Sequence, residues 1–288
     1  MQSTSYILTW RDAQDPLRRA NLVAVLTWLR SFALAEVVLV EQDLAPTLGD
    51  LPHEAQHPQL RRVFAYNPGP FNKSWGFNMG LRASSGSVLA FGDADVVCRE
   101  FAQAVAACRA GTPAVRPFKG LRDLDTHRSA WLRDDLSCLS DPSFPGAAAD
   151  RSALGEHAPY CSGIVLMQRT VAARVGGWDE RFLGWGAEDD AMTVKLQRAG
   201  VPLPVMDDAG GFHLFHRRAG NAADHGTAGM AGMPSGASGP HAHLHYADNL
   251  ALLKQWHHLP EPAFQQLCEV SLQLMGDPDM HRPQEAAV

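Results

Sequence analysis

Apolar positions along the chain recur with two periods, and the alternation between them outlines a fold. Residues 5–10, "SYILTW", form a short apolar and aromatic run that "RDAQDP" interrupts. From Pro16 onward Leu22, Val25, Leu26, Leu29 and Phe32 keep a helical spacing. "AEVVLVEQ" (35–42) and "LRRVFAYN" (60–67) read as strands, and "NKSWGFNMGLRAS" (72–84) as a helix capped by Asn72. Gly76 and Gly80 weaken that helix in isolation, so they point to close packing against a neighbour. "SVLAFGDADVV" (87–97) then runs as a continuous apolar strand into two acids. Strands and helices in this order predict an α/β fold, a mostly parallel central sheet flanked by helices. Ligands of such sheets bind at the carboxyl ends of the strands, where "TWRD" and "GDAD" stand.

The pattern weakens over 119–158, which mixes charges, Pro and Gly and reads as part helix, part loop. "YCSGIVLMQ" (160–168) restores a strand, and "TVAARVGG" a short helix stopped by glycine. "AEDDAMTVKLQRAG" (187–200) is a helix with acids in its first turn, Lys195 and Arg198 late, and Gly200 as its stop. Residues 219–240 are rich in Gly, Ala and Ser and predict a flexible loop, either a plain linker or a lid. Two further helices follow, then a frayed tail from Gly276. The expected organisation is one domain over 1–275, with 276–288 disordered.

Composition narrows the class. Of 288 residues 45% are apolar and 19% charged, as in ordinary globular proteins. A net charge of −6 argues against nucleic acid as a partner. The five cysteines are odd in number and lack CxxC spacing, which favours free thiols in a reducing compartment. The N-terminus shows no secretory pattern, and no apolar run approaches the roughly 18–20 residues of a membrane span. A cytoplasmic protein is expected, with peripheral membrane attachment left open.

Several clusters carry candidate chemistry. In an extended "GDADVV" (92–97), Asp93 and Asp95 face one ligand together, and paired carboxylates suit a hard divalent cation that can bind a diphosphate. "GGFHLFHRR" (210–218) offers His213 and His216, and imidazole tilts selection toward manganese over magnesium. On one strand the two would face opposite sides, so one at most is expected to serve. His241, His243 and His245 lack the HExxH or cysteine partners of a zinc hydrolase. Arg11 and Asp12 end the first strand, where Asp12 is equally a turn residue. Asn72 and Lys73 open a helix whose N–H groups favour an anion.

Taken together, the pieces resemble a family. "PFNKSWGFNMGLRASSGSVLAFGDADVV" is similar to the FN(R/K)…N-x-G…DxD run of inverting glycosyltransferases with the A-type, nucleotide-diphospho-sugar transferase fold. "YCSGIVLMQRTVAARVGGWDERFLGWGAEDDAMTVKLQRAG" resembles the acceptor-site segment of β-1,4-galactosyltransferases and their bacterial relatives. The similarity covers roughly residues 5–218. It implies that Arg11 and Asp12 hold the uracil or ribose, with Phe71, Asn72 and Lys73 beside the nucleotide. Asp93 would contact the ribose or donor sugar, and Asp95 would bind the metal. Gly163 and Trp185 would shape the sugar pockets, Glu188 would hold acceptor hydroxyls, and Asp189 would be the general base. His213 is the first choice for the histidine ligand and His216 the reserve. The chain departs from the animal enzymes in lacking their membrane anchor and disulfides, and in having Ala191 where a further acid often stands.

The resemblance therefore implies a metal-dependent transferase, with manganese ahead of magnesium. It would move galactose or N-acetylgalactosamine from a UDP-sugar to a glycan acceptor, with inversion, in cell-surface polysaccharide synthesis. Three rivals remain: a retaining transferase, which usually has Asn where Asp189 stands; a nucleotidyltransferase, whose Gly-rich phosphate loop is missing here; and a non-catalytic nucleotide-sugar-binding module.

Overall fold

The computed structural model describes residues 2–144, 149–150, 163–206, 210–217 and 244–277. The expected loop over 219–240, His241, His243 and the tail beyond Asp277 lie outside these residues.

The strands are β1 (Thr4–Trp10), β2 (Glu36–Asp43), β3 (Leu60–Tyr66), β4 (Val88–Gly92), β5 (Val96–Cys98), β6 (Ala114–Val115), β7 (Leu121–Asp123), β8 (Ala149–Asp150), β9 (Ile164–Gln168) and β10 (Gly211–His213). The helices are α1 (Pro16–Leu29), α2 (Lys73–Ala83), α3 (Phe101–Arg109), α4 (Thr126–Asp134), α5 (Arg169–Arg174), α6 (Glu188–Arg198), α7 (Tyr246–His258) and α8 (Glu261–Leu274). A six-stranded sheet has the order β3-β2-β1-β4-β9-β6. Its first four strands pair in parallel, while β9 runs antiparallel to both β4 and β6. A smaller sheet has the order β5-β10-β7-β8.

The central strands read as unbroken apolar runs because both faces are covered. Tyr6, Leu8, Val37, Leu39 and Ala90 pack with α1 and α3 on one side. The alternate residues Ile7, Val38, Val40, Leu89 and Phe91 pack with α2, α5 and α6 on the other. Gly76 and Gly80 do bring α2 onto the sheet. A Cβ on Gly76 would lie 2.3 Å from Thr9 Oγ1, and one on Gly80 2.3 Å from Ile7 Cγ2.

Three expectations need correction. The run 87–97 is not one strand: β4 ends at Gly92, the chain turns through Asp93–Asp95, and β5 joins the second sheet. β10 ends at His213, so strand alternation does not apply between His213 and His216. The chain at Gly276 and Asp277 is tied down rather than frayed. The Gly276 N–H donates to Glu180, and the Asp277 carbonyl accepts from Trp75 Nε1 at 2.9 Å. Helix α3, in a stretch without a clear sequence signal, fills the core with Phe101, Ala104 and Cys108.

Candidate active site

The break after β4 builds the site. Parallel strands β1, β2 and β4 end on one side of the sheet, and the Asp93–Asp95 turn leaves the main sheet there for the second. Gly163 supports this turn from below, since its carbonyl accepts the Asp93 N–H at 2.8 Å. Its φ of +127° and the Phe118 ring, 2.9 Å from any added Cβ, exclude a larger residue.

On one side of the turn Lys73 gathers three carboxylates. Its Nζ lies 2.9 Å from Asp93 Oδ1, 3.4 Å from Glu188 Oε1, and 2.9 and 3.0 Å from the two Asp189 oxygens. Asn72 caps α2 by accepting the Trp75 N–H at 2.9 Å, which aims the first helical residue, Lys73, into the cluster. Glu188 and Asp189 come from the first turn of α6, where the helix dipole favours negative charge. One ammonium does not neutralise three acids. Burial raises the Asp189 carboxyl well above its usual range; Lys73 opposes the rise, and Glu188 and Asp93 add to it. Asp93 is raised for the same reason, burial first, with Lys73 opposing.

On the other side Asp95 meets both histidines. His216 Nε2 lies 3.2 Å from Asp95 Oδ2 and His213 Nε2 3.6 Å from Asp95 Oδ1. Burial alone would raise the Asp95 carboxyl, but His213 and His216 outweigh it and hold it far below the usual range. The expectation that at most one imidazole could face the acid fails because the chain leaves β10 immediately after His213. The Leu214 N–H donates to the Asp95 carbonyl at 2.8 Å, and the next residues carry His216 round to the same side. One ligand atom from each of Asp95, His213 and His216 lies within 4.8 Å of the others, a group able to hold a metal ion. One carboxylate and two imidazoles suit a first-row transition ion better than magnesium.

The loop before α6 is held in an uncommon shape. Gly184 and Gly186 have φ of +69° and +101°, and Ala187, the N-cap, has +70° without being glycine. Trp185 stays partly exposed and packs against Tyr246, ring centroids 5.6 Å apart. Asn249 of α7 fastens the loop, donating to the Leu183 and Gly186 carbonyls at 2.9 Å each.

The residues at the ends of β1–β3 are engaged otherwise. Arg11 donates to the carbonyls of Gln42, Gly69 and Asn67 at 2.7, 2.8 and 2.9 Å, tying the end of β1 to β2 and to the loop after β3. Its guanidinium lies 5.9 Å from the centre of the Phe71 ring. Asp12 accepts the Gln14 N–H at 3.0 Å in a local turn. Asn72 is buried and donates to the Glu180 carbonyl at 2.7 Å. The structure thus brings together Lys73, Asp93, Glu188 and Asp189 as one group and Asp95, His213 and His216 as another.

Residues 151–217 match the family model described as "N-terminal domain of galactosyltransferase". This segment is galactosyltransferase-like. It spans α6 and β10, and so contributes Glu188, Asp189, His213 and His216. The chain is also similar to validoxylamine A glucosyltransferase of Streptomyces hygroscopicus subsp. jinggangensis, 27% identical over 165 residues. That match spans 49% of this chain and 39% of the relative, well under half its length. Among solved structures, the catalytic domain of Drosophila β1,4-galactosyltransferase 7 with xylobiose aligns at a TM-score of 0.44 and 15% identity, over 71% of this chain and 65% of that one. Glucosyl-3-phosphoglycerate synthase of Mycobacterium tuberculosis, with Mn2+, UDP and phosphoglyceric acid, aligns at 0.43 and 14%, over 75% and 71%.

Sequence reasoning missed Asp123, Tyr246 and Asn249 as neighbours of the site. Asp123 stands in the irregular middle region, and the other two open a helix that carries no motif. Among the described residues no helix is long and apolar enough to cross a membrane.

Proposed function

We propose that the chain is a metal-dependent, inverting glycosyltransferase that moves a hexose from a UDP-sugar to a hydroxyl of a glycan. The observation that carries this reading is the pair of groups on the Asp93–Asp95 turn: a carboxylate with two imidazoles beside a lysine with three carboxylates. Asp95, His213 and His216 would hold a divalent ion, Mn2+ ahead of Mg2+. When bound, it would supply Lewis-acid stabilisation of the departing diphosphate.

Asp189 is the base in this reading. The acceptor oxygen bonds to the anomeric carbon, the bond from that carbon to the diphosphate breaks, and Asp189 takes the hydroxyl proton. A carboxylate raised by burial suits that task, since a base works best with a pKa near the working pH. Glu188 and Trp185 hold and face the acceptor, while Asp93 orients the donor sugar. Lys73 keeps Asp189 and Asp93 in place until substrates arrive, then lies within reach of the diphosphate. Arg11, Phe71 and Asn72 frame the nucleotide pocket mainly by fixing its walls, with Asp12 at the rim.

Galactose and N-acetylgalactosamine are the first donors to test, and glucose joins them because the curated relative is named a glucosyltransferase. The acceptor would be a growing cell-surface glycan. Among the described residues Cys98, Cys108, Cys138 and Cys268 are buried free thiols, which suits a cytoplasmic site of action. A thermal-shift screen of nucleotide sugars with and without Mn2+ tests the reading. A UDP-hexose that stabilises the protein only with the metal, and releases UDP with a glycan acceptor, is the expected result. Stabilisation by no UDP-sugar under any metal condition would overturn it.

A further inference from the structure

Beyond the three groups that would touch the metal, one acid stands behind them. β7 and β10 pair in parallel, in a register that sets Asp123 against His213. The two side chains meet on one face, with Asp123 Oδ1 3.0 Å from His213 Nδ1. The Leu124 N–H donates to the His213 carbonyl at 2.9 Å, locking the register beside the pair. On the other imidazole, His216 Nδ1 lies 2.9 Å from the Arg217 carbonyl. Each ring therefore has its Nδ1 against an oxygen and its Nε2 toward Asp95.

We propose that Asp123 is a positioning residue for the metal group: it accepts the Nδ1 proton of His213 and thereby holds the ring with its Nε2 edge turned to the space beside Asp95. A carboxylate accepts but does not donate, so the contact keeps a proton on Nδ1 and fixes the ring orientation. Metal-bound histidines commonly carry such an outer partner, and losing it typically lowers metal affinity 10–100-fold. The arrangement is built by the small second sheet alone. This explains why a short three-residue strand in an irregular stretch ends in an acid. The proposal rests on the metal-binding reading of Asp95, His213 and His216, and two measurements separate the failure of each.

The first is a titration of metal-free protein with Mn2+, followed by electron paramagnetic resonance, for wild type, Asp123→Asn and Asp123→Ala. Asp123→Ala should bind roughly 10–100-fold more weakly. Asp123→Asn, whose amide oxygen still accepts at nearly the same place, should recover part of the loss and serves as the folding control. The second is a long-range proton–nitrogen spectrum of the metal-free protein. It should show a His213 Nδ1 proton protected from solvent exchange in wild type and exchanging freely in Asp123→Ala. Equal Mn2+ affinity in all three proteins, or a His213 Nδ1 proton equally protected in Asp123→Ala, overturns the role of Asp123. A wild type that binds no Mn2+ while keeping the protected Nδ1 proton overturns the metal reading instead.

Discussion

Lys73 Nζ sits 2.9 and 3.0 Å from the two carboxylate oxygens of Asp189, and 2.9 Å from Asp93 on the opposite side. One cation thus bridges the turn that follows β4 and the first turn of α6. The first half of the site would meet the donor and the second the acceptor. The balance of the cluster, three acids to one ammonium, sets both its stability and its chemistry.

Lys73→Met should destabilise the protein by about 3–5 kcal/mol at pH 7, the cost of breaking a buried pair and leaving its acids uncompensated. The deficit should shrink toward pH 5, because protonation of the raised Asp93 and Asp189 carboxyls relieves their repulsion. Urea unfolding at the two pH values checks this. A loss that did not depend on pH would mean that packing, not charge, is what Lys73 supplies.

Asp189→Asn should separate activity from stability. Transfer should fall by about 10²–10⁴-fold, the usual contribution of a positioned base. The folded protein holds the Asp189 proton more tightly than the unfolded chain does. Its stabilising contribution is therefore complete below about pH 3.9, the unfolded value, and is lost as pH rises through the raised folded value. The Asn variant escapes that loss, so its stability relative to wild type should grow from pH 4 to pH 8. Paired thermal melts and UDP-release assays measure the two effects, and a variant that keeps wild-type turnover would remove Asp189 from the reaction.

Tyr6 and Gly92 should show coupled packing. A Cβ on Gly92 would lie 1.8 Å from the Tyr6 hydroxyl, which is buried and without a hydrogen-bond partner among the described residues. Gly92→Ala should cost about 1–3 kcal/mol by overpacking. Tyr6→Phe should cost little, since it removes an unsatisfied group. The double variant should recover about 0.5 kcal/mol or more relative to the sum of the singles. Strict additivity in chemical denaturation would refute the contact.

Asn249→Ala should loosen the Trp185 loop. It leaves the half-buried Leu183 and Gly186 carbonyls without their donor, a cost of about 1 kcal/mol. The acceptor KM should rise while the affinity for UDP stays near wild type. Equal weakening for both substrates would point to a global effect instead.

The layered α/β architecture was legible in the hydrophobic pattern, because strands buried on both faces must be apolar throughout and helices must repeat with their own period. The sequence also marked Asp93, Asp95, Glu188 and Asp189, since acids after an apolar strand and at a helix start stand out locally. It even flagged Gly76 and Gly80, whose missing side chains make sense only against a close neighbour. How these residues meet follows from packing between segments distant along the chain. That Lys73 reaches across to Asp189, 116 positions away, depends on how α2 and α6 pack on one face of the sheet. That His213 and His216 both turn to Asp95 depends on where β10 stops, which no period in the sequence announces. Asp123 and Asn249 were invisible for the same reason: their meaning lies in strand register and in helix packing, contacts between segments distant along the chain.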